Sequence, residues 1–141
     1  PGLTIFFAAG WAGCWLEGCA YGRVSLPGLL SAPLPDDYGV VAVRYQTQLT
    51  GFLISVLLAI LAAWRLGDRV PGTAGSGRLF WSTLATLLLT SAFLTLFRGD
   101  QAPLWFGQRA DLVVDIILVV VCLIAVAINS RRPGGVFESG Q

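Results

Sequence analysis

The sequence predicts an all-α integral membrane protein, a single bundle of three to four transmembrane helices over residues 1–141. Composition carries the first part of that reading. Hydrophobic residues make up 55% of the chain and charged ones 12%, and the mean hydropathy is +0.74. About a quarter of a soluble domain is charged, so this chain has too little polar surface to face water. Segment length carries the second part. A helix crosses the hydrocarbon core with roughly 20 mostly apolar residues, and three uninterrupted stretches come near that length.

Taken in order, Pro1 to Leu16 reads as a short first helix that runs into a glycine-punctured stretch, "GWAGCWLEGCAYGR", Gly10 to Arg23. The chain opens at Pro1 in mid-pattern and holds no methionine, as expected of a processed chain or a piece of a longer one. Val24 to Val43 is proline-rich and apolar. It is long for a free linker and is expected to lie as an arm along the membrane interface, about residues 24–43. The first long span runs from about Gln48 to Trp64 and the second from Leu79 to Phe97, the latter uncharged with a Ser/Thr stripe. The third, Asp111 to Ile128, is β-branched. In lipid its backbone groups must still bond within the segment, so it is a helix and not a strand.

Connectivity then sorts the charges onto two sides. Arg65 to Arg78 and the tail beyond Ile128 are polar linkers that hold five of the nine arginines. That character predicts cytoplasmic placement. The other four, Arg23, Arg44, Arg98 and Arg109, come from separate parts of the chain and fall together on the outer face. Clustered guanidinium groups at headgroup depth suit an anionic lipid phosphate, although arginines also flank helix ends as plain interfacial anchors.

Several function classes are excluded or disfavoured. A net charge of +1 leaves no basic face for nucleic acid. Without histidine the chain supplies neither the usual haem ligand nor a histidine base. No C-x-x-C pair suggests zinc, and no metal or cofactor is expected. Cys14 and Cys19 would point to different faces of a regular helix. The glycines could bend it enough for them to bridge, yet packing of small residues is the preferred reading and both are expected to stay reduced. Cys122 reads as inert filler in mid-span. Asp111 suits a helix N-terminus. Asp115 lies deeper, where a carboxylate needs a partner, and an outer arginine is the expected one. Arg98 itself shows no acid at helical spacing, Asp100 being too close in sequence to share its face.

Together these motifs resemble the bacterial prolipoprotein diacylglyceryl transferases. "GWAGCWLEGCAYGR" is similar to the family signature G-R-x-G-N-F-x-N-x-E-x-x-G-R, and closer to the branch reading G-R-x-G-C-F-x-x-G-C-C-Y-G-R. "RYQTQLTG" is similar to H-P-x-Q-L-Y-E, "LFRGD" to F-R-x-x-D, and "GQRADLVVD" to the entry of the last helix. The resemblance covers most of the chain and corresponds to the C-terminal half of a seven-helix enzyme. Trp11 stands where the family has its motif arginine, Cys14 and Cys19 replace the Asn and Glu of the commoner motif, and Tyr45 replaces a histidine.

The resemblance implies transfer of a diacylglyceryl group from phosphatidylglycerol to a prolipoprotein cysteine, at the outer face of a bacterial inner membrane. Arg23, Gln48 and Arg98 match its polar positions, with Arg44 and Tyr45 beside them, and Gly10, Gly13, Gly18 and Gly22 match its backbone ones. The expected role is binding of a phosphatidylglycerol headgroup, with glycines admitting the lipid close to the backbone and catalysis weakened or lost. The alternative is a non-catalytic subunit of a larger membrane complex. A small transporter would need a polar lumen, for which Asp115 and the Ser/Thr stripe are the only hints.

Overall fold

The computed structural model describes residues 2–67 and 76–130. Four helices dominate it: α1 (Gly2–Glu17), α2 (Thr47–Gly67), α3 (Ser76–Thr95) and α4 (Ala110–Ser130). Three of them contain segments long and apolar enough to cross a membrane, Thr47–Arg65, Gly77–Thr95 and Ala110–Ser130. The protein is therefore a multi-pass membrane protein. At 16 residues α1 is shorter than these spans. The Arg65–Arg78 linker and the tail, on which the cytoplasmic orientation rests, fall largely outside the described residues.

Two helix pairs make the bundle, α1 against α2 and α3 against α4, with lighter contact of α3 to α1 and α2. A small core joins α3 and α4 through Ala85, Leu88, Val119 and Cys122, and Phe7 of α1 packs onto its edge. Between α1 and α2 the fit is close: a Cβ at Gly51 would overlap the Trp11 ring. Small residues at such contacts let helices approach without a hydrophobic driving force, which lipid does not supply. The outward faces are apolar, including Leu53, Leu57 and Ile60 of α2 and Ile117, Val121 and Ile124 of α4.

The all-α expectation needs one correction. The arm between α1 and α2 contains a β-hairpin, β1 (Ser31–Pro35) paired antiparallel with β2 (Val41–Tyr45) in the register Ser31 to Tyr45 through Pro35 to Val41. The turn explains why. Asp36 accepts backbone N–H bonds from Tyr38 at 3.0 Å and Val40 at 2.9 Å, which closes the loop around Gly39. Aspartate that bonds its own backbone a few residues on is a turn former. The ladder continues beyond the hairpin. Val24 bridges Arg44, and Gly22 bridges Arg98. Arg23 N–H donates to the Phe97 carbonyl at 2.7 Å, and Gly99 N–H to the Tyr21 carbonyl at 2.8 Å. A β-like cap thus ties the ends of α1, α2 and α3 together. A second, two-residue pair, β3 (Leu104–Trp105) with β4 (Gln108–Arg109), leads into α4.

Candidate functional site

The cap is built on close backbone approach within the protein. A Cβ at Gly22 would overlap the Tyr45 carbonyl and its side chain, and one at Gly99 would press on Gly22 and Arg23. The glycines at 22 and 99 therefore serve chain-to-chain packing. Gly10, Gly13 and Gly18 meet nothing within 4 Å of an added Cβ. Gly10 and Gly13 leave open space along α1, whereas Gly18 has φ +77° and ends the helix, as glycine in the left-handed region commonly does.

That helix end overturns the expectation for the cysteines. Cys14 and Cys19 form a disulfide, with Cα atoms 4.7 Å apart. On a continuous helix they would diverge, but α1 stops at Glu17 and the left-handed turn at Gly18 returns the chain toward Cys14. Gln48 holds the turn in place: buried to 2% exposure, it donates from Nε2 to the Cys19 carbonyl at 2.7 Å. Thr47, the first residue of α2, is buried and donates from Oγ1 to the Ala20 carbonyl. A disulfide closing so short a loop still contributes about 2 kcal/mol in the chain-entropy account.

Arg23, Arg44, Arg98 and Arg109 do come to one end of the bundle, but three of them meet carboxylates. Arg44 is 8% exposed and pairs with Asp36 at 2.9 Å, its guanidinium 5.0 Å from the Tyr21 ring centre. Tyr21 is buried and donates to Asp37 at 3.1 Å. Burial, and then the Asp37 charge, push its hydroxyl above the usual value despite the Asp37 N–H. Arg98 pairs with Asp100 at 2.5 Å and Asp111 at 3.2 Å, and Arg109 with Asp100 at 3.3 Å and Asp111 at 3.2 Å. Two guanidinium and two carboxylate groups thus form a neutral square.

Arg98 was expected to lack an acid. It has two because α3 ends at Thr95, and Asp100 follows in an irregular turn that folds back on it. Burial pulls the Arg98 guanidinium toward the neutral form, but Asp100 and Asp111 outweigh it and raise its affinity for the proton. Arg23 differs from these three. It is exposed, has no carboxylate partner among the described residues, and donates from Nε to the Arg98 carbonyl at 3.2 Å. Among the described residues Asp115 meets no arginine within 4 Å; Ser91 of α3 is its hydrogen-bond partner, with the Arg98 charge felt at longer range.

Beneath this square a cleft of about 300 Å³ opens between α1 and α3. Phe6, Phe7, Gly10, Trp11 and Cys14 make one wall, and Ser91 and Arg98 the other. The α1 residues recur every three or four positions, one face of a helix, over a length of about 12 Å. Arg98 stands at the capped end and the phenylalanines lie deeper. A second hollow of about 240 Å³ lies between the cap and α3, lined by Leu30, Tyr45, Thr50, Phe93 and Phe97. Tyr45 meets Phe97 edge-on at 5.6 Å there.

Of the residues singled out in the sequence, the structure brings Arg98 and Gly10 to the cleft and Arg23 to the Arg98 backbone carbonyl. Gln48, Arg44 and Gly22 stand within the cap, Tyr45 beside the second hollow, and Gly13 and Gly18 on open stretches of α1 and its end. Sequence reasoning missed Ser91, Trp11 as a cleft wall and Asp100 as a partner. Asp100 and Trp11 sit inside the quoted "LFRGD" and "GWAGCWLEGCAYGR", and Ser91 belongs to the Ser/Thr stripe. No group of three or more His, Cys, Asp or Glu arranged for a metal ion is present among the described residues. No family model, no curated protein and no solved structure matches the chain.

Proposed function

We propose that the protein binds an anionic phospholipid, phosphatidylglycerol, with an acyl chain in the α1–α3 cleft and the headgroup phosphate at Arg23. The observation that carries this reading is the junction of an apolar cleft with an arginine that has no carboxylate. The cleft is walled by Phe6, Phe7 and Trp11, left open by Gly10 and lined at one end by Arg98, while Arg23 hangs on the Arg98 carbonyl. The Arg98–Arg109–Asp100–Asp111 square is neutral in sum, so the anion-seeking charge belongs to Arg23. A charge-assisted contact of this kind contributes about 1.5–3 kcal/mol when shielded from water.

Binding is favoured over diacylglyceryl transfer. Trp11 takes the place of the family's motif arginine, and no histidine is present to act as a base. Losing one group that stabilises charge in a transition state costs about 10²–10³ in rate. The alternative role, a structural subunit of a membrane complex, draws on the same square, whose ion pairs need no ligand.

The test is lipid mass analysis of the purified chain and of Arg23→Ala and Arg23→Lys. Arg23→Ala should lower co-purified phosphatidylglycerol several-fold, and Arg23→Lys should restore most of it. Equal phosphatidylglycerol in all three would contradict headgroup binding at Arg23.

A further inference from the structure

A third hollow, of about 320 Å³, lies between α2 and α3 at the end of the bundle opposite the cap. Leu58, Leu61, Ala62 and Arg65 line it on α2, and Leu79, Ser82, Thr83 and Thr86 on α3. Each set repeats every three or four residues, one face of a helix. The hollow is therefore a groove about 10 Å long between two facing helices. It stays open because α2 packs mainly on α1 and α3 mainly on α4, with only light contact between the two.

The ends of the groove differ. Arg65 closes the membrane-spanning segment Thr47–Arg65, at the level where headgroups begin. Trp64 beside it is 70% exposed, as tryptophans at a membrane interface are. Inward from there the walls are apolar. Ser82 Oγ donates to the Leu79 carbonyl at 3.0 Å and Thr86 Oγ1 to the Ser82 carbonyl at 2.9 Å, so both hydroxyls are engaged by their own helix.

The charge at this end is positive. Arg65 and Arg78 are exposed, and neither meets a carboxylate within 4 Å among the described residues. Residues 65–78 hold three arginines against the single Asp68, so any pairing with Asp68 still leaves an excess of positive charge. The helix ends do not offset it, because the partial negative charge closing α2 is matched by the partial positive charge opening α3.

We infer that the α2–α3 groove binds an anionic phospholipid of the leaflet opposite the cap, with its phosphate at Arg65 and an acyl chain along Leu58, Leu61 and Leu79. An apolar groove between two membrane-spanning helices takes hydrocarbon, and the unbalanced arginines select a negative headgroup. The site is separate from the α1–α3 cleft and does not depend on binding at Arg23.

The test is native mass spectrometry of the full chain in detergent micelles, titrated with phosphatidylglycerol or with phosphatidylcholine of the same acyl chains. All variants are made in the Arg23→Ala background, so that a lipid held at Arg23 does not enter the count. That background should retain phosphatidylglycerol about fivefold better than phosphatidylcholine. Arg65→Gln should remove most of the preference, and Arg65→Lys should keep it. Thr86→Phe, which fills the inner end of the groove, should lower retained phosphatidylglycerol several-fold, with Thr86→Val unchanged. Equal retention of the two lipids would overturn the proposal and leave Arg65 a snorkelling anchor. A preference that survives Arg65→Gln, or retention that survives Thr86→Phe, would overturn it as well. Should Arg65→Gln fail to fold, the comparison of the two lipids and the Thr86→Phe result still decide.

Discussion

At the scale of single residues, the glycines of the punctured stretch divide by what a methyl group would meet. At Gly22 the added carbon would run into the Tyr45 backbone, whereas at Gly13 it would meet nothing. Backbone cannot move aside as a flexible side chain can. Gly22→Ala should therefore destabilise the protein by about 1–3 kcal/mol, the usual cost of overpacking. Gly13→Ala lies inside α1 with open space around it and should stabilise by about 0.5–1 kcal/mol through helix propensity. Thermal unfolding of the two variants in the same detergent checks both signs. Equal effects would mean that the close approach at Gly22 is absent. This distinction was not legible in the sequence. Glycine spacing marks a place where something comes near the backbone, but the partner of Gly22 is a strand residue 23 positions away. The same limit applies to Cys14 and Cys19, whose pairing depends on where the helix stops.

At the scale of elements, the three spans and their order could be read from the sequence because long apolar runs have one solution in lipid. The arm between them could not be read as a hairpin, since its prolines and scattered apolar residues lack a clear alternation. Its structure depends on Asp36, which bonds two backbone N–H groups and Arg44. These contacts, the Val40 N–H foremost, hold the Asp36 carboxyl below the usual carboxylate range. The sign follows from linkage: a carboxylate whose folded value is depressed supports the fold fully above its unfolded value, about 3.9. That support fades as the pH falls below this value and through the lower folded one. Protection of the hairpin amides, taken relative to the intrinsic exchange rate at each pH, should therefore fall on acidification in the parent protein. Asp36→Asn should show low protection already at neutral pH and change little with acid, and a hairpin equally protected in both would contradict the role.

The ion-paired square belongs to the same scale, because it joins the end of α3 to the start of α4. Asp100 serves both Arg98 and Arg109. Replacing it with asparagine leaves two mostly buried guanidinium groups sharing one carboxylate. The expected loss is about 3 kcal/mol, near the lower end for breaking a buried pair, read as a drop in unfolding temperature. Asp111→Asn should cost less, since Asp111 is the more exposed of the two acids, at 31% against 13% for its side chain. The sequence placed these arginines on one face but could not show their partners. Asp100 lies two residues from Arg98, a spacing that separates side chains on a helix and joins them in the turn found here.

At the scale of the whole molecule, two helix pairs meet along a light seam, and the cap fastens their ends on one side. The cleft exists because Gly10 fills no space where α1 faces α3, and Arg98, held by the cap beside Arg23, bounds it at one end. The account therefore depends on a lipid chain entering this cleft and not merely coating the bundle. Photocrosslinking with a phosphatidylglycerol whose acyl chain carries a diazirine measures that directly. The account predicts adducts concentrated on Phe6, Phe7, Gly10 and Trp11, and their loss in Gly10→Leu, where a side chain fills the opening. Adducts spread evenly over the outward faces of α2 and α4, at Leu53, Leu57, Ile117 and Ile124, and unchanged by Gly10→Leu, would contradict it.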